Sequence, residues 1–117
     1  MTVTLEERKE KIVNYIQNNR ENMYDALRQA LKIPSYSDHR EGSNAVVEFL
    51  LSLIPELDAK VSRLDGGSYV HHLLLESHCD AKPCIFFVGH VDTVFPTGTE
   101  WPFSQDHENT YGPGVID

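Results

Sequence analysis

The run Cys84-Ile85-Phe86-Phe87-Val88 constrains this chain more than any other segment, because every side chain in it is apolar. A strand alternates its side chains between two faces, so such a run predicts a strand covered on both, in the middle of a sheet. Helical segments upstream can cover one face. Nothing from Gly89 to Asp117 reads as a helix able to cover the other, so the pattern predicts an incomplete fold that self-associates through the uncovered sheet.

The upstream helices are legible from their ends. Thr4 followed by Glu7 is a capping box, in which hydroxyl and carboxylate each accept a backbone N–H. Leu5, Ile12, Val13 and Ile16, then Met23, Ala26, Leu27, Ala30 and Leu31, keep helical spacing until Pro34 removes a donor. Asn18 and Asn19 predict a break between two helices. A further apolar stripe, Ala45, Val46, Phe49, Leu50 and Leu53, predicts another helix, ended by Pro55. Beyond it Ala59 to Leu64 alternates, Asp65-Gly66-Gly67 forms a turn, and Ser68 to Glu76 completes a hairpin. The expected class is α/β, with N-terminal helices followed by a mixed sheet.

Length and charge narrow what this architecture can do. At 117 residues the chain is one domain or part of one. A formal charge of -8 repels phosphate backbones and anionic lipid, so nucleic acid and membrane surfaces are poor partners. Charged residues from Glu6 to Lys11 stand where an export signal needs an apolar stretch, and no apolar run approaches the ~20 residues that span a bilayer. The expected location is cytoplasmic. Cys79 and Cys84 are too few for a disulfide framework or a structural zinc knuckle, and read as reduced thiols, with one local disulfide as the lesser alternative.

Chemistry is expected just past the apolar strand. His90-Val91-Asp92 places an imidazole and a carboxylate at the carboxyl end of a central strand, where open α/β sheets carry their sites. A metal-bound imidazole usually passes its other ring proton to a carboxylate or carbonyl, and Asp92 has the right type and spacing for that role. The bare pattern is weak, since His78-Cys79-Asp80 repeats it in a polar turn and reads as a surface feature. A structural pair and a site therefore both remain open on the tripeptide alone. Tyr111-Gly112-Pro113-Gly114-Val115-Ile116-Asp117 ends a glycine-rich turn on an aspartate, for which a simple turn is the plainer reading. His71 and His72 fall on opposite faces of a strand, His39 and His107 read as solvated loop residues, and Ser35 and Tyr36 receive no role.

Taken in order, Phe87-Val88-Gly89-His90-Val91-Asp92-Thr93-Val94-Phe95-Pro96, Trp101-Pro102-Phe103 and the segment Tyr111 to Asp117 resemble a zinc-dependent metallopeptidase family. That family includes glutamate carboxypeptidase, acetylornithine deacetylase, succinyl-diaminopimelate desuccinylase and aminoacylase, and the likeness is nearest to the first. The resemblance implies that His90 is a metal ligand, that Asp92 is the catalytic-site residue orienting it, and that Asp117 bridges two zinc ions. It also implies hydrolysis of an amide in a small peptide or N-acyl amino acid, often releasing glutamate. Cobalt or manganese also suit such ligands. In the family the general-base glutamate, the remaining ligands and the lid or dimerisation domain follow the position of Asp117. Residues 1–117 are therefore expected to be the N-terminal part of a catalytic domain, inactive alone. The rival expectation is a non-catalytic interaction module that uses an exposed sheet edge.

Overall fold

Thr4 starts the first helix as its sequence requires. In the computed structural model, which describes residues 3–54, 58–77, 80, 83–96, 98 and 103–115, Thr4 Oγ1 accepts the Glu7 N–H at 3.2 Å. The Glu7 carboxylate returns to the Thr4 N–H at 2.7 Å. Helix α1 then runs over Leu5–Leu31 without interruption. The expected break at Asn18 and Asn19 is absent, and the Asn19 side-chain amide donates to the Tyr15 carbonyl at 2.8 Å. An asparagine that bonds one turn back along its own helix costs only a few tenths of a kcal/mol in propensity, too little to stop a helix of this length.

The capping box makes a direct prediction. Thr4→Ala should lower the stability of the first turn by about 1 kcal/mol, read as amide exchange at Leu5 to Arg8. The bond from the Thr4 N–H, with a smaller contribution from the Thr4 side chain, also holds the Glu7 carboxyl below its ordinary 4.5. A depressed folded value stabilises the helix start at higher pH, and that contribution disappears as pH falls from about 4.5 through the lowered value. Fraying of α1 should follow the Glu7 titration, keep most of that pH dependence in Thr4→Ala, whose backbone N–H still reaches the carboxylate, and lose it in Glu7→Gln.

Helix α2 spans Arg40–Ser52, one turn earlier than the apolar stripe predicts. His39 precedes it without making a side-chain cap, and the helix enters through Gly42 and Ser43, both buried. Ser43 Oγ reaches back to the Tyr36 carbonyl at 3.3 Å. The imidazole of His39 is only partly solvated: the residue is half-buried, and its Nδ1 is buried without a hydrogen-bond partner among the described residues. Among those residues Val46 and Val47 are the buried apolar side chains.

The hairpin forms where expected but is shorter. Strand β1, Lys60–Leu64, pairs antiparallel with β2, His72–Glu76, in the register Lys60↔Glu76 to Leu64↔His72. The second strand begins at His72 rather than Ser68, because the His71 N–H is taken by Asn44 Oδ1 of α2 at 2.8 Å instead of by β1. Arg63 joins the hairpin to the same helix through two bonds to the Glu48 carboxylate, at 2.9 and 3.0 Å. That fork–fork pair holds Glu48 below the usual carboxylate range. A second small antiparallel pair joins β3, Ser104–Gln105, to β4, Thr110–Tyr111.

Two expectations fail here. The described strands form two separate two-stranded antiparallel sheets, and the parallel component of the expected mixed sheet is reduced to one bridge, Tyr36↔Thr93. Cys84 to Val88 is not a central strand among the described residues: Ile85 to Val88 join no ladder there, and Ile85, Phe86, Phe87 and Val88 are 81%, 80%, 92% and 90% exposed. An apolar strand is stable only when neighbours satisfy its backbone and layers cover both faces, and no described strand lies alongside this one. The radius of gyration, 17.0 Å, reflects the same openness, against about 13 Å for a tightly folded domain of this length. The coarse class, helices with small sheets in a mixed α/β arrangement, stands.

Candidate functional site

The loop after α1 positions the site by pairing with the residues after the apolar run. Thr93 donates its N–H to the Ser35 carbonyl at 2.7 Å, and its own carbonyl accepts the Ser37 N–H at 3.0 Å. These bonds form the parallel bridge around Tyr36 and fix the backbone on both sides of Asp92 and Thr93. Gly114 closes in from the other end of the chain with φ 75°, and a Cβ on it would lie 2.9 Å from Thr93 Cγ2. The turn expected from Gly112 to Gly114 therefore uses the left-handed backbone that glycine permits.

Within this frame His90 and Asp92 meet. The ring Nδ1 of His90 lies 3.0 Å from the Asp92 carbonyl oxygen and 3.2 Å from Asp92 Oδ1. Both contacts are acceptors, so Nδ1 carries the proton in the neutral ring and the lone pair sits on Nε2. The second carboxylate oxygen of Asp92 accepts the Ser37 hydroxyl at 2.6 Å, and the same hydroxyl lies 3.2 Å from the Thr93 carbonyl. Ser37, followed by the His90 contact, holds the Asp92 carboxyl below its usual value against the opposing effect of partial burial. The His90 side chain remains 63% exposed, so its ring is accessible from solvent.

An open cavity of about 480 Å³ adjoins His90, lined by it, Thr93 and Gly114 together with apolar residues such as Leu31, Val46 and Phe103. Phe103 is half-buried there.

Of the three residues expected to form the site, His90 and Asp92 are brought together; Asp117 lies outside the described residues. So do His78, Cys79 and Trp101, and with Cys79 the question of a local disulfide; Asp80 is exposed. Among the described residues no group of three or more His, Cys, Asp or Glu is placed to hold a metal ion, and no helix is long and apolar enough to cross a membrane. His71 stands apart from the pair, 3.4 Å from Arg40 and 3.7 Å from Asp65. Sequence reasoning missed Ser37. It is 55 positions from Asp92, and no local pattern marks a hydroxyl that acts across such a distance.

No family model, curated protein or solved structure matches the chain.

Proposed function

We propose that these residues belong to a zinc-dependent hydrolase that cleaves an amide bond in a small peptide or N-acyl amino acid and releases a C-terminal amino acid, in the manner of glutamate carboxypeptidase. The single observation that carries this reading is the His90–Asp92 pair, in which a carboxylate and a carbonyl take the Nδ1 proton and leave the Nε2 lone pair for a cation. His90 is then a ligand and Asp92 its orienting partner, while Asp117 is assigned the bridging position from its motif. When bound, two divalent cations polarise the scissile carbonyl and lower the pKa of the water that attacks it. Zinc generally takes four donors, so ligands beyond His90 and Asp117 must complete the centre.

Titration calorimetry with zinc tests the reading. Weak binding is expected, lost on acidification because an imidazole must be neutral to ligate, and absent in His90→Ala. Tight stoichiometric binding unaffected by that substitution would place the metal elsewhere and overturn the assignment.

One observation favours the second reading, a non-catalytic module that pairs with another chain: the four apolar side chains from Ile85 to Val88, each at least 80% exposed. Covering each of them is worth about 1.5 to 3 kcal/mol. Sedimentation velocity should show concentration-dependent association of the 117-residue chain that weakens in Phe87→Asp. A monomer at all concentrations would remove this reading.

A further inference from the structure

We infer that Ser37 is a positioning residue, whose hydroxyl fixes the Asp92 carboxylate so that His90 is held with its proton on Nδ1 and its lone pair on Nε2. The metal consequence rests on the hydrolase reading; the geometry does not. Asp92 has two carboxylate oxygens and the structure gives them different partners: Oδ2 receives the Ser37 hydroxyl at 2.6 Å, and Oδ1 faces the His90 ring at 3.2 Å. A carboxylate pinned at one oxygen cannot rotate freely about its terminal bond, so the other oxygen stays in line with the imidazole. Ser37 is itself fixed, since its N–H is bonded to the Thr93 carbonyl and the adjoining bridge ties residues 35–37 to the backbone beside Asp92. One short side chain from the loop after α1 thus reaches across the chain to set the tautomer of a ring that it does not touch.

The hydroxyl touches the Asp92 carboxylate and the Thr93 carbonyl, not the imidazole. Its role is to raise the fraction of His90 rings that present Nε2 outward, which an unassisted histidine does only in part, because its neutral ring exchanges between two tautomers. Removing partners that orient a metal ligand typically costs 10- to 100-fold in metal affinity, and the loss of Ser37 is expected to fall in the lower part of that range because the Asp92 carbonyl still contacts Nδ1.

The test is the side-chain ¹⁵N spectrum of His90 in the 117-residue chain, recorded at alkaline pH so that the ring is neutral throughout. In the unaltered chain the protonated nitrogen should be Nδ1. Ser37→Ala should move His90 toward the mixture of tautomers seen for a free imidazole, while Ser37→Thr should restore the original pattern. Ser37→Thr and Ser37→Val, nearly equal in shape and differing in the hydroxyl, make the same comparison if alanine loosens the loop. A merely structural role for Ser37 would alter amide shifts around residues 35–37 and leave the tautomer alone, and that result overturns the inference. So does an unaltered chain whose His90 proton sits on Nε2. Zinc titration of the same variants separates the two levels. A tautomer that depends on Ser37 in a chain that binds no zinc through His90 supports the positioning role and removes the hydrolase reading. Zinc bound through His90 with a tautomer insensitive to Ser37 does the reverse.

Discussion

Gly42→Ala is expected to destabilise the protein by about 3 kcal/mol, the upper end of the usual cost of overpacking. A Cβ at this position would overlap the Pro34 carbonyl oxygen and lie 2.5 Å from His39 Nδ1. The first contact is with backbone, which cannot move aside as a flexible side chain can. Relief requires α2 to shift away from the loop after α1, and that shift breaks the contact of Ser43 with the Tyr36 carbonyl and strains the 35–37 pairing with Thr93. Loss of stability should therefore be accompanied by loss of the His90 tautomer signature. Gly89→Ala is the control. A Cβ there meets none of the described residues within 4 Å, so stability should change by no more than about 0.5 kcal/mol although the residue adjoins His90. Denaturant unfolding of both variants checks the contrast, and equal effects would show that the approach of Pro34 to α2 is not as close as described.

His90→Ala is expected to abolish zinc binding, at least a 100-fold loss, and with it any hydrolysis by a chain that carries the full set of ligands. Asp92→Asn should do less to binding, about 10- to 100-fold, because it changes the orientation and basicity of the ligand and not its presence. The amide also brings a donor where the carboxylate only accepted, so it competes with the Nδ1 proton and with the Ser37 hydroxyl. Neither substitution should cost much stability. The imidazole is largely exposed, and the bridge between residues 35–37 and Thr93 is made of backbone groups that both variants retain. Calorimetry with zinc and with cobalt, alongside unfolding curves, separates a lost ligand from a lost fold. Zinc affinity unchanged in His90→Ala would dismiss the proposed centre.

Much of the local structure was legible because it is decided within a few residues. The reciprocal bonds of Thr4 and Glu7, the end of α1 before Pro34, the stripe of α2 around Val46 and the β1–β2 hairpin all depend on neighbours close in sequence. Two of the errors have the opposite cause, while the first is itself local. Asn19 did not break α1 because its amide found an acceptor one turn back. Strand β2 starts late because Asn44, from a different element, claims the His71 N–H. Cys84 to Val88 reads as a buried strand from composition, yet burial needs covering layers and paired neighbours that no short segment can supply for itself.

The candidate site divides along the same line. By itself the sequence determined that an imidazole and a carboxylate stand two residues apart after an apolar run, close enough that their contact needs only local backbone geometry. Gly114 was marked in advance as a residue able to adopt positive φ. Only the tertiary structure decided that the turn containing Gly114 packs against Thr93, that the loop after α1 runs beside the site, and that Ser37 holds the second oxygen of Asp92. The physical reason is range. Hydrogen bonds and caps between near neighbours follow from residue type and spacing, whereas a contact across 55 positions exists only once α1, its following loop and the segment after Val88 have been brought together.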